Sequence, residues 1–191
     1  MSPRHIPNLI SLCRIGLVYP VIHAILARTF DTAIALFIVA GLSDGIDGFL
    51  ARRYGWQSRL GSHLDPIADK LLLVFSYLAL ASLHLIPIWL AALVVVRDVF
   101  ILAGAVAYYW LIGPYVGAAT RLSKINTAAQ LCLIAALLVH PGLMTLPSSV
   151  LSGLMGLVVV TTLGSGLDYV VRWGRLACRL RRESAGRRPE P

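Results

Sequence analysis

The stretch GLSDGIDGFLARR, Gly41 to Arg53, closes an apolar run and carries Asp44, Asp47 and Arg52. A helix end that is apolar on one side and doubly acidic on the other belongs where a membrane helix meets water. Ionised groups are costly at the centre of a bilayer, at about 2.5–3.5 kcal/mol each on insertion scales, so they signal a function rather than a filler.

The rest of the chain supports a membrane reading. It has 191 residues, of which 58% are hydrophobic, and a mean hydropathy of +0.77. That balance is far from a soluble globular mixture. About 20 apolar residues cross a bilayer as a helix. Six segments qualify, at 7–27, 32–52, 64–84, 87–112, 122–140 and 148–170. The sequence therefore predicts an all-α integral membrane protein of six transmembrane helices with a polar site at the cytoplasmic end. Residues 1–171 form the catalytic domain in this reading, and 172–191 form a basic cytoplasmic tail. Residues 9–27 are read as a retained first span rather than a signal peptide, because Arg14 interrupts the run.

Charge sets the orientation. Arg4, Arg53, Arg59, Arg121 and the tail from Arg172 fall on one side of the six spans, and Arg28 falls on the other. The positive-inside rule then places both termini in the cytoplasm. The tail RWGRLACRLRRESAGRRPEP has seven arginines and two glutamates, which suits a surface-lying or partly disordered segment near anionic lipid. The formal net charge of +8 is explained by topology, with no basic face interleaved with aromatics to suggest nucleic acid. Cys13, Cys132 and Cys178 are too scattered for a disulfide framework or a zinc site.

Four of the nine acidic residues lie at Asp44, Asp47, Asp65 and Asp69. Asp44 and Asp47 are i, i+3, and Asp65 and Asp69 are i, i+4, so each pair shares a helix face. Both pairs flank one cytoplasmic loop. Antiparallel helices joined by that loop bring the pairs together, and four like charges then need a cation between them. Carboxylates are hard ligands, which favours Mg2+, Mn2+ or Ca2+ over zinc. Gly41, Gly45, Gly48 and Ala51 line the same helix. They suit either close helix packing or the approach of a ligand to bare backbone. Arg52 suits a phosphate or an interfacial snorkel.

These positions combine into D-x2-D-G-x2-A-R-x8-G-x3-D-x3-D, filled by Asp44, Asp47, Gly48, Ala51, Arg52, Gly61, Asp65 and Asp69. The pattern resembles the signature of the CDP-alcohol phosphotransferase family, and the resemblance covers nearly the whole chain. It implies that an alcohol displaces CMP from a CDP-linked lipid. It implies two divalent metals, Mg2+ or Mn2+, on Asp44, Asp47, Asp65 and Asp69, with Asp69 also the base for the attacking hydroxyl. It places Gly48, Ala51, Arg52 and Gly61 against the CDP moiety, and it implies a homodimer in a bacterial or mitochondrial inner membrane.

The acceptor is read from three further places. Arg97 lies deep in an apolar run beside Asp98, as an internal ion pair or as a cation for the acceptor's phosphate. Arg121 and Lys124, i and i+3, are topology charges or acceptor-phosphate contacts. Asn8 is a helix-start residue or a polar contact to the site. The R-D-V and S-K-I-N-T segments, Arg97–Val99 and Ser123–Thr127, resemble the cardiolipin synthase branch of the family. The branch that makes phosphatidylglycerophosphate carries R-E and G-K-x-K-T there. A monoanionic lipid also needs fewer cations than glycerol 3-phosphate, and Asn126 stands where the second branch has lysine. The expectation is that phosphatidylglycerol attacks CDP-diacylglycerol. A divalent-cation transporter would place its ligands near the midplane between two related halves, and neither feature is present in the pattern.

Overall fold

The structure is a computed structural model. It describes residues 6–54, 61–112 and 120–186, and side chains within these at 12–43, 53, 67–104, 106, 110 and 120–172. The described residues form six α-helices and no strand: α1 Ile6–Leu26, α2 Phe30–Tyr54, α3 Gly61–Ser82, α4 Ile88–Ile112, α5 Arg121–Gly142 and α6 Ser148–Gly186. Each predicted span corresponds to one helix, shifted by a few residues. The difference is at the C-terminus, where α6 runs without a break into the basic segment.

Two turns are built without glycine. In the first, Thr29 N–H donates to Ala24 O and Arg28 N–H to Ile25 O. In the second, Leu85 N–H donates to Leu80 O and His84 N–H to Ala81 O. Both are left-handed helix caps that satisfy the last carbonyls of α1 and α3. Arg28 and His84 take the residue position that needs a positive φ, each at 59°. Helix α5 instead starts on a side-chain cap, where the Thr120 hydroxyl accepts from Ser123 N–H at 3.1 Å. Gly142 ends α5 where its Cα meets the start of α2, since a Cβ there would stand 3.1 Å from Phe30 Cβ.

α1 packs along both α2 and α3, α5 packs along α6 and α2, and α4 bridges α3 and α6. Between them lies an apolar core that includes Val21, Ile25, Leu73, Leu80, Leu90, Leu133, Ile134 and Leu138. The exterior is also apolar, with Tyr19, Ile88, Trp110, Val160 and Leu167 the most exposed large apolar side chains among the described residues, while Arg14, Arg97 and Asp98 are buried. Charges inside and large apolar groups outside reverse the pattern of a water-soluble bundle. They match a surround that cannot satisfy polar groups. Helix α5 and the segment Ser148–Arg172 of α6 are long and apolar enough to cross a membrane. Leu12–Leu26 and Phe30–Ser43 are shorter apolar helices.

Candidate active site

The site begins with a cation in the wrong place for an apolar helix. Arg14 interrupts the α1 run and is 1% exposed. A buried guanidinium is tolerated only when paired. Its NH1 donates to Asp69 Oδ1 at 2.7 Å. Arg14 lies eight residues into α1 and Asp69 eight residues into α3, about 12 Å along each axis. The two helices meet at this level, and the Asp69 carboxylate is 41% exposed.

The helix bounds set the level of the other carboxylates. Asp44 and Asp47 lie ten and seven residues before the end of α2, about 15 and 10 Å from it. Asp65 lies four residues into α3, about 6 Å from its start. Asp44 and Asp47 thus lie in the last half of α2, and Asp65 and Asp69 in the first half of α3, two helices that each pack along α1. The side chains of Asp44, Asp47, Asp65, Ala51, Arg52 and Asn8 lie outside the described residues, as does the packing around Gly48 and Gly61, although Gly61 opens α3. Gly41, on the same helix as Gly48, faces open space where its Cβ would be. Close packing within this chain does not account for that glycine.

A second polar cluster adjoins the first. Asp98 on α4 accepts from Arg97 NH1 through Oδ1 and from Lys70 Nζ through Oδ2, both at 2.6 Å. Arg97 also donates from Nε to Ser165 Oγ on α6 and from NH2 to Ser123 Oγ on α5, both at 2.9 Å. One guanidinium thus ties α4, α5 and α6 together, and its carboxylate partner adds α3. Three of its five N–H groups are used among the described residues, one of them in an ion pair with Asp98. Arg121 and Lys124 stand exposed on the first turn of α5, on either side of Ser123. Asn126 is fully buried one turn further on, where its Oδ1 accepts from Thr161 and Thr162, both at 2.9 Å.

Carboxylates are hard ligands, and of the four aspartates the one whose side chain is described, Asp69, is half-exposed. Among the described residues alone no group of three ligands is complete. An open pocket at the α3–α4 turn, lined by Ala81, His84 and Leu85 among others, lies at the far end of α3 from Asp69.

Sequence reasoning noted Arg14 only as an interruption and did not single out Lys70, Thr161, Thr162 or Ser165. The signal for Arg14 was available, because an ionisable residue within an apolar span needs a partner. The hydroxyl residues gave none, since serine and threonine are ordinary in membrane helices.

A model of the CDP-alcohol phosphatidyltransferase family matches residues 4–165. The rat protein named cardiolipin synthase (CMP-forming) is 39% identical over 184 residues, covering 88% of this chain and 61% of its own. The human protein of that name is 38% identical with the same coverage. This chain thus spans about three-fifths of the length of these two relatives. The CDP-diacylglycerol–glycerol-3-phosphate 3-phosphatidyltransferase of Escherichia coli K12 is 32% identical over 183 residues, covering 87% of this chain and 93% of its own. With its family model matched over most of its length, the chain belongs to the CDP-alcohol phosphatidyltransferase family.

Proposed function

We propose that this protein transfers a phosphatidyl group from CDP-diacylglycerol to phosphatidylglycerol, giving cardiolipin and CMP. The observation that carries the reaction is the unbroken eight-position motif, whose Asp69 is accessible and anchored by Arg14. The choice of acceptor is supported by the Arg97–Val99 and Ser123–Thr127 segments and by the rat and human relatives.

In this reading Asp44, Asp47, Asp65 and Asp69 hold two Mg2+ or Mn2+ ions. When bound, the ions neutralise the diphosphate and the charge developing on the departing CMP. Gly48, Ala51, Arg52 and Gly61 lie against the CDP moiety, and Arg52 suits its phosphates. Asp69 accepts the proton of the acceptor hydroxyl. That oxygen bonds to the phosphatidyl phosphorus while the bond to the CMP oxygen breaks. Arg97, Arg121 and Lys124 gather the acceptor phosphate, and Asn8 is a further polar contact. The helices act as six membrane spans with the site and both termini on the cytoplasmic side of a bacterial or mitochondrial inner membrane. Residues 1–171 are the catalytic unit, 172–191 the basic tail, and the assembly is a homodimer.

A second reading keeps the chemistry and changes the acceptor to glycerol 3-phosphate. It is favoured by the Escherichia coli relative, nearly all of whose length this chain covers. One assay separates the two. Purified protein in mixed micelles receives CDP-diacylglycerol and Mg2+ or Mn2+, with phosphatidylglycerol and glycerol 3-phosphate in parallel. Cardiolipin plus CMP is expected. Phosphatidylglycerophosphate plus CMP would select the second reading, and absence of CMP from folded protein would reject both.

A further inference from the structure

The ion pairs around Asp98 leave one positive charge over. The side chains of Arg97 and Asp98 are 5% and 6% exposed and already neutralise each other. Lys70 then places a second cation on the same carboxylate, and its own side chain is 42% exposed. An ammonium has three N–H donors. Among the described residues Lys70 gives one, to Asp98, so two remain on its exposed side for an anion.

The neighbours of Lys70 say which anion. Asp69 and Lys70 are consecutive, so they leave α3 about 100° apart. Asp69 meets Arg14 on α1, whereas Lys70 meets Asp98 on α4. Through Arg97 that side of the site continues to Ser123 on α5, between the exposed cations Arg121 and Lys124. Lys70 therefore stands at the border between the aspartates and the cationic side of the bundle.

We infer that Lys70, oriented by Asp98, binds a phosphate oxygen of the acceptor alcohol. The shared chemistry is an alcohol that carries a phosphate, whether a lipid phosphodiester or a small phosphomonoester. Asp98 is a positioning residue: it fixes the ammonium without cancelling the cluster's charge, because Arg97 already balances it. This inference rests on the reaction proposed above.

The test is Lys70→Gln, which keeps a donor for Asp98 and removes the charge, compared with Lys70→Arg, which keeps both. Phosphatidylglycerol and glycerol 3-phosphate are assayed as separate acceptors, with KM determined for the acceptor and for CDP-diacylglycerol. Loss of one charge-assisted contact should raise the acceptor KM about tenfold or more. The KM for CDP-diacylglycerol should move less than twofold, and Lys70→Arg should restore most of the loss. The acceptor that shows the effect identifies the source of the phosphate. An equal rise for both substrates, a fall in kcat alone, or no change would overturn the inference while leaving the reaction standing. A Lys70→Gln protein that does not fold while Lys70→Arg does would also overturn it, since the lysine would then serve the bundle. Wild-type protein that releases no CMP with either acceptor would remove the reaction and the inference together.

Discussion

Arg14 of α1 and Asp69 of α3 form an ion pair whose two ends live in different surroundings, the guanidinium 1% exposed and the carboxylate 41% exposed at 2.7 Å. The asymmetry has an energetic consequence. Removing Asp69 takes a partner from a cation that cannot reach water, whereas removing Arg14 leaves a carboxylate that can. Asp69→Leu should therefore destabilise the protein, by less than the ~3–5 kcal/mol of a fully buried pair because the carboxylate is part-exposed. Arg14→Leu should cost clearly less. Thermal unfolding in one detergent, with the two variants side by side, checks this. Equal losses, or a larger loss for Arg14→Leu, would mean that the pair is not the main support of Arg14.

The proposed chemistry makes a different demand on the same carboxylate. Asp44→Asn and Asp69→Asn keep side-chain volume and lose charge, so each should lower CMP release by at least about 100-fold, the scale of a lost proton acceptor or metal ligand. Both variants should still be extracted and elute as the wild type does. Excess Mn2+ should recover part of the Asp44→Asn loss, if that residue acts only through a metal. Turnover near the wild-type rate in either variant would refute the site.

The helices and the acidic motif were legible for physical reasons. Apolar runs of about 20 residues are long, and their ends are marked by charge and proline, so every helix bound except the end of α6 came within a few residues. The aspartates stand out because acids are scarce in such a chain. Lys70 did not stand out, because a lysine beside an aspartate in the first half of a span reads as a topology charge. Its meaning depends on Asp98, 28 residues away on another helix. The role of Ser165 is hidden for the same reason, since its partner Arg97 is 68 residues distant. The run of α6 into the tail was obscured because arginine-rich sequence fits both a helix and a solvated segment, and arginine is itself a good helix former.

Lys124 offers a sharper view of the acceptor side. It is exposed on the first turn of α5, next to the serine that Arg97 holds. Lys124→Ala should raise the KM for the acceptor by about tenfold, the worth of one charge-assisted hydrogen bond. The KM for CDP-diacylglycerol should change little. Initial rates at saturating levels of the other substrate check this. An equal loss for both would place Lys124 at the nucleotide or in the scaffold.

The turn after α3 should be improvable without touching the site. His84 closes that helix with φ at 59°, a region in which a Cβ meets the backbone and only glycine is free of cost. Its N–H still donates to Ala81 O at 3.0 Å, and the next N–H to Leu80 O, so the cap itself is well formed and the strain lies in the side chain. His84→Gly keeps both hydrogen bonds and removes the Cβ. It should stabilise the protein by about 0.5–1 kcal/mol, net of the greater freedom that glycine gives the unfolded chain. Turnover should stay at the wild-type level, because His84 ends α3 at the far end from Asp69. A rise in Tm with unchanged CMP release is the expected result. A fall in Tm would show that the histidine ring contributes more at this turn than its backbone strain costs.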